Sequence, residues 1–221
     1  LLFAHWPISV SELRPLVPAQ LEIQEFGGSA WIGVVPFRMT GVMRRGLPDL
    51  PYISAFPELN VRVYVEHGGK PGVWFLSLDA TNALAVWAAR RFFHLPYYRA
   101  RMSMRRDGAS YVYASERPGA EFKGRYRACS GLELAVPGTL EHWLTERYCL
   151  YAQDARGTLW RNEVQHLPWP LQRAEAEMER NTFFDVHGLS CPSSAPLLHF
   201  AKRIDVVVWE GERLSPGNGP A

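Results

Sequence analysis

The chain has little of what usually makes a sequence's chemistry easy to read. Of its 221 residues three are cysteine, Cys129, Cys149 and Cys191, an odd number with no C-x-x-C spacing. That argues against a disulfide framework and fits a reducing, cytoplasmic compartment. Lysine is as scarce: Lys70, Lys123 and Lys202 stand against twenty-one arginines, a bias that a GC-rich bacterial genome produces as readily as function does. The formal net charge is only +2, so no nucleic-acid partner is predicted. No apolar run approaches the ~20 residues of a membrane-spanning helix. The opening Leu1-Leu2-Phe3-Ala4-His5-Trp6-Pro7 lacks the basic segment and long apolar stretch of a signal peptide, and no membrane partner is predicted. There is no Gly-rich phosphate loop after a strand, no G-x-S-x-G and no H-E-x-x-H. The histidines, His5, His67, His94, His142, His166, His187 and His199, are scattered, and no two share a ligand spacing with a carboxylate. No metal site and no cofactor are expected. Cys191, between Ser190 and Pro192, has no base in view and reads as a loop thiol or a small buried hydrophobe.

What the chain does have is aromatic side chains, 13% of residues with eight Trp, and one strictly alternating stretch at residues 56–65. Pro57, Leu59, Val61, Val63 and Val65 fall on one face of a strand and Glu58, Asn60, Arg62 and Tyr64 on the other, because the side-chain period of a strand is two. The first face is plain core. The second is an acid, an amide, a guanidinium and a phenol: either a solvated sheet face or the lining of a cavity. If it is interior, Glu58 must be paired, hydrogen-bonded or protonated. Arg62 then either pairs with Glu58 or holds a ligand carboxylate through two parallel hydrogen bonds.

Around this stretch the pattern is β throughout. Residues 3–6, 21–26, 30–39, 73–79, 97–105, 109–116, 122–134, 146–153, 158–166, 171–178 and 199–209 read as strands, with turns at Gly27-Gly28, at residues 67–72, at Asp107-Gly108 and at residues 154–157. Pro36 predicts an edge or a bulge in its strand. Ser9 or Ser11, Thr81 or Asn82, and Thr139 are candidate N-caps of short helices. The stretch at 181–189 fits neither period, and residues 44–51 predict a Pro- and Gly-rich loop. About ten strands joined by short turns, without β-α alternation, predict an antiparallel sheet curled into a barrel or sandwich. No repeat or mid-chain linker is visible, so residues 1–213 are expected to form one domain, with 214–221 a disordered tail. Arg99 and Arg101 share a strand face with Tyr97, as a second anion clamp or a surface stripe.

Several segments together resemble a known family. Leu13-Arg14-Pro15-Leu16-Val17-Pro18, Trp31-Ile32-Gly33-Val34-Val35-Pro36-Phe37, Phe56-Pro57-Glu58-Leu59-Asn60-Val61-Arg62 with Tyr64-Val65, Pro71-Gly72-Val73-Trp74-Phe75, Ser77-Leu78-Asp79, and Leu95-Pro96-Tyr97-Tyr98 with Ala100 and Met102 look like the YqjF-like family, domain of unknown function 2071, of the acetoacetate decarboxylase-like superfamily. The resemblance is dense over residues 5–105 and thins toward the C-terminus. It implies a mainly β fold: an antiparallel, cone-shaped β-barrel around a cavity, with a few short external helices and possible self-association into homo-oligomers. It also implies that the polar face of 56–65 looks into the cavity. The superfamily's decarboxylase uses a lysine as Schiff-base nucleophile, activated by a second lysine beside it in an apolar pocket. In the comparable segment here, Leu95-Pro96-Tyr97-Tyr98, tyrosines stand where the lysines would be, and the three lysines are isolated.

Two functions follow as expectations. One is an enzyme or binder of a small organic acid or carbonyl compound, with Glu58 as acid, base or orienter, Asn60, Arg62 and Tyr64 beside it, Arg62 as anion partner, and Tyr97 or Tyr98 as hydroxyl donor. The other is a non-catalytic ligand-binding or structural and interaction barrel, its interior closed by Trp and Phe side chains or left as an apolar cavity without convergent polar groups.

Overall fold

The computed structural model describes residues 1–41 and 55–214. The expected loop at 44–51 and residues 215–221 of the expected tail lie outside the described residues. Leu214 is within the fold, its N–H donating to the Leu159 carbonyl at 2.9 Å.

Strand β1 (Leu2–Ile8) leads into a short helix, α1 (Val10–Leu13), capped by the Ser9 hydroxyl, then to β2 (Glu22–Ile23) and β3 (Ala30–Met39). The alternating stretch becomes β4 (Phe56–His67). It turns through Gly68 and Gly69, both at positive φ, into β5 (Lys70–Ala80). Asn82 caps α2 (Ala83–Phe92), its Oδ1 accepting from the N–H groups of Leu84 and Ala85. Of the apolar side chains on α2, Val86 is buried, whereas Leu84 and Trp87 point outward. Then come β6 (Tyr97–Arg99), β7 (Arg101–Asp107), β8 (Ser110–Arg117), β9 (Ala120–Ala128) and β10 (Glu133–Leu134). Helix α3 (Leu140–Thr145), capped by Thr139, precedes β11 (Cys149–Gln153), β12 (Leu159–His166), β13 (Pro170–Asn181), β14 (Leu197–Ala201), β15 (Val206–Val208) and β16 (Glu212–Arg213). Three expected strands come out divided. The 97–105 strand breaks at Ala100, the 122–134 strand stops at Ala128, and the 199–209 strand splits at residues 202–205.

All the described strands join one sheet in the order β15-β12-β11-β5-β4-β3-β1-β14-β13-β9-β8-β7, with β2 beside β4, β6 beside β5, β10 beside β13 and β16 beside β12. Pairing is antiparallel except on one edge of β5. There β11 runs parallel at Val73 and Trp74, and β6 runs parallel at Leu78, Asp79 and Ala80. Between these two partners, Phe75, Leu76 and Ser77 have no strand beside them on that edge among the described residues. The antiparallel register of β4 with β5 slips once: Val61 faces Ser77 but Arg62 faces Phe75, so Leu76 is an extra residue, a β-bulge. Pro36 pairs with Leu59 on β4 and lies past Val34, where the β1 ladder ends.

The sheet curls strongly, because β4 and β8, six places apart in the order, meet: the Tyr113 hydroxyl donates to the Glu58 carbonyl at 2.7 Å. Inside the curl lies the main apolar cluster. Leu59, Val61, Val63 and Val65 of β4 are fully buried there with Trp6, Ile32, Tyr113, Phe122, Tyr126, Phe183 and Phe184. A single residue, Ala100, separates β6 on one flank of the sheet from β7 on the other. Among the described residues β7 ladders only with β8, and the sheet is not closed by hydrogen bonds. Among the described residues the architecture is mainly β with three short α-helices. In place of the closed barrel that the family resemblance implies, the described residues form a curled sheet that hydrogen bonds do not close.

Candidate functional site

The polar row of β4 turns away from that apolar cluster, but it is not solvated. Glu58 and Asn60 are 3% and 2% exposed, Tyr64 is fully buried and Arg62 partly so. What covers the row comes from neighbouring strands and from two helices. On one side, Tyr64 and Val73 pack with Leu144, Trp143 and Leu140 of α3 and with Trp31 and Leu197. On the other, Phe56, Ala80 and Tyr97 pack with Val86 and Ala85 of α2.

Glu58 accepts a hydrogen bond from the Tyr97 hydroxyl, Oη to Oε2 2.8 Å. Burial raises its carboxyl from an ordinary 4.5 to about 7. The Tyr97 hydrogen bond and the Arg62 charge pull it back down in part, and Asp79 pushes it further up. Burial and the neighbouring Glu58 hold the Tyr97 phenol well above its usual range, so it is a neutral donor. Arg62 does not pair with Glu58. Its Nε donates to Asn60 Oδ1 at 2.8 Å, and its guanidinium lies between two rings, 5.8 Å from the Phe3 centroid and 5.6 Å from that of Phe75. Its two Nη groups have no protein partner among the described residues. An arginine fixed through Nε with a free Nη pair presents a planar fork of the kind that takes a carboxylate through two hydrogen bonds.

Beside Arg62, Tyr64 Oη and His5 Nε2 are 2.7 Å apart. Burial raises the Tyr64 phenol to about 12, and burial with the charges of Arg62 and His199 holds His5 well below its usual value, so both are neutral. Among the described residues, the Nδ1 atoms of buried His5 and His199 have no hydrogen-bond partner. Gly33, opposite Arg62 on β3, makes room for this packing. A Cβ there would sit 2.8 Å from His5 Cδ2 and 3.3 Å from Arg62 Cγ.

The structure therefore brings Glu58, Asn60, Arg62, Tyr64 and Tyr97 together, and it separates Tyr98 from them. Tyr97 and Tyr98 are adjacent in a strand, so only one can share the face of Glu58. Tyr98 is on the other face, where the Arg117 guanidinium stacks on it at 4.2 Å and bonds Asp79 at 2.8 Å. Arg99 and Arg101 are exposed, with Arg101 paired to Glu116, which makes them a surface stripe. Cys191 is exposed and Cys149 buried. Lys70 pairs with Glu163 and Lys123 with Glu179, and Lys202 is exposed. The partners that sequence pattern could not supply are Phe3, His5, Phe75 and His199, which belong to other strands. Gly33 carried a usable signal, because a glycine inside an apolar strand marks a close approach.

Solved structures with the same fold define the class. The chain superposes on the enduracididine biosynthesis enzyme MppR complexed with pyruvate with a TM-score of 0.70 at 14% identity, over 97% of this chain and 87% of that one. It superposes on acetoacetate decarboxylase from Legionella pneumophila with a TM-score of 0.64 at 12% identity, over 97% and 84%. At such identities the likeness is one of fold alone, the acetoacetate decarboxylase-like fold. Within that fold the chain belongs to the DUF2071 family, described as "Uncharacterized conserved protein", whose model matches residues 1–205. It is 49% identical over 211 residues to the uncharacterized protein YqjF of Bacillus subtilis strain 168, covering 94% of this chain and 87% of that protein.

Proposed function

We propose that the Glu58–Arg62 face binds a small organic acid with a carbonyl group and exchanges a proton with it. The observation that carries this is a buried carboxylate with a raised pKa beside a guanidinium whose Nη pair has no hydrogen-bond partner among the described residues. Arg62 receives the substrate carboxylate, held in place by Asn60. Glu58 is the general acid while protonated, and the base once ionised, with its titration placed near neutrality where such a group works best. Tyr97 donates to Glu58 and orients it. The pyruvate in the MppR complex supports the choice of ligand class. Schiff-base chemistry is left out, because Lys70 and Lys123 pair with glutamates away from this face and Lys202 is exposed.

The test is a panel of 2-keto and 3-keto acids, followed by calorimetry for binding and by NMR for proton exchange or loss of carbon dioxide. Arg62→Met is expected to weaken binding at least ~10-fold, the loss of a charge-assisted fork. Glu58→Gln is expected to bind and not turn over. Acids that bind equally well to Arg62→Met refute the assignment. A second reading, a binding module without catalysis, draws on the interior of the curl, which is filled by Tyr113, Phe122, Tyr126, Phe183 and Phe184. Its mark is ligand binding with no turnover in the wild type and in Glu58→Gln alike.

A further inference from the structure

Among the described residues no strand pairs with the edge of β5 at Phe75, Leu76 and Ser77, between its two parallel neighbours, and a cleft of about 470 Å³ lies there. One wall is the β11–β12 turn with Ala155; the facing wall is Leu95 and Pro96 at the entry to β6. Leu16, Trp74, Phe75 and Leu76 also line the cleft. Its polar lining residues, Arg90, His94, Gln153, Asp154 and His187, each have a contact within the protein, His94 with the Trp160 ring and Gln153 with the Gly157 carbonyl. His187 Nε2 is 3.0 Å from Ser77 Oγ, Asp154 accepts from the N–H groups of Arg156 and Thr158, and Arg90 stacks on Tyr98. The lining is mixed, with an apolar side formed by Leu16, Trp74, Phe75, Leu76, Leu95 and Pro96, and the volume is in the range of ligand pockets, well beyond what a three-carbon acid fills. Phe75 belongs to both places: it lines the cleft, and its ring centroid is 5.6 Å from the Arg62 guanidinium carbon. The bulge at Leu76 puts Phe75 opposite Arg62.

We propose that this cleft is the mouth of the Glu58–Arg62 site, and that the ligand is therefore a carboxylic acid with an aromatic or branched apolar tail. The carboxylate lies on Arg62 and the tail lies past Phe75, between Trp74, Leu76 and Leu95. This rests on the assignment of Arg62 as carboxylate partner.

Phenylpyruvate and pyruvate are the probes, measured by calorimetry and thermal shift on the wild type, Arg62→Met and Ala155→Trp. Ala155 is exposed in its turn and outside the Glu58–Arg62 group. Ala155→Phe is a milder block should the larger side chain disturb the fold, which circular dichroism reports. Phenylpyruvate is expected to bind at least ~10-fold tighter than pyruvate, the effect of burying a ring. Arg62→Met is expected to weaken both, and Ala155→Trp to weaken phenylpyruvate and spare pyruvate. Arg62-dependent binding of pyruvate, with phenylpyruvate no tighter or indifferent to the Ala155 variants, overturns the mouth and leaves the Arg62 assignment standing. Absence of binding by both acids, or binding indifferent to Arg62→Met, overturns the two together.

Discussion

Replacing Glu58 by glutamine tests the electrostatics of the site without any ligand. In the folded protein the carboxyl releases its proton near pH 7; in the unfolded chain it does so near 4.5. Between those values the folded state holds a proton that the unfolded state has lost, so stability falls as pH rises through the window and levels off above it. The gap, at ~1.4 kcal/mol per pH unit, comes to ~3 kcal/mol. Glutamine keeps an oxygen for the Tyr97 hydroxyl and does not titrate. Glu58→Gln is therefore expected to match the wild type within ~1 kcal/mol at pH 4.5, where the shared hydrogen bond dominates. At pH 8 it is expected to exceed the wild type by ~3 kcal/mol, or about 6–12 °C in Tm for a chain of this size. Urea unfolding of both proteins at the two pH values measures this, and every other carboxylate cancels in the comparison. A difference between variant and wild type that does not change with pH would mean that Glu58 is ionised in the fold at its ordinary pKa. Burial as the dominant influence would then be wrong.

Two further perturbations probe the scaffold. Asp79 and Arg117 form a buried ion pair at 2.8 Å, with Ser115 Oγ also near Asp79. Asp79→Asn should cost ~3–5 kcal/mol by stranding a buried guanidinium, and Asp79→Asn with Arg117→Met should recover much of that; a double variant as unstable as the single refutes it. At Gly72 a Cβ would meet Cys149 Sγ at 2.6 Å and the Cys149 carbonyl at 2.9 Å, where β5 and β11 run side by side. Gly72→Ala should cost at least ~1–3 kcal/mol by chemical denaturation, and an unchanged midpoint would show that β11 shifts freely.

Local chemistry made much of this structure legible. The Glu58-to-Tyr64 alternation survives as a register, with Glu58 opposite Phe37 and Arg62 opposite Gly33. The Asn82 and Thr139 caps and the Asp107-Gly108 turn are where their side chains and φ preferences put them. The evenly alternating glutamates Glu175, Glu177 and Glu179 lie on a strand, β13. Illegible were the things set by distant pairing. No local pattern says that Phe3 and His5 come to lie near Arg62. A period of two also could not choose between Tyr97 and Tyr98 until the partner strand was known. Nor could it register the extra residue at Leu76, because a bulge is defined by two strands at once. The apolar face of β4 was evident; that the polar face is also covered depended on α2 and α3.

The ladder that seats β1 has a consequence for how the chain folds. Leu2 pairs with Phe200 and Ala4 with Leu198, and β5 takes its parallel partner β11 from more than seventy residues later. The hairpin of β4 and β5 is local and β3 and β1 are made before it, but β11 beside β5 and β14 beside β1 are made much later. Sheets dominated by such long-range pairings fold slowly, because loop-closure entropy is spent before the contacts form. During synthesis the edge of β1 that takes β14 stands unpaired until Leu197–Ala201 is made. A chain stopped before Leu197 is expected to collect in aggregates or on chaperones rather than as a smaller folded unit.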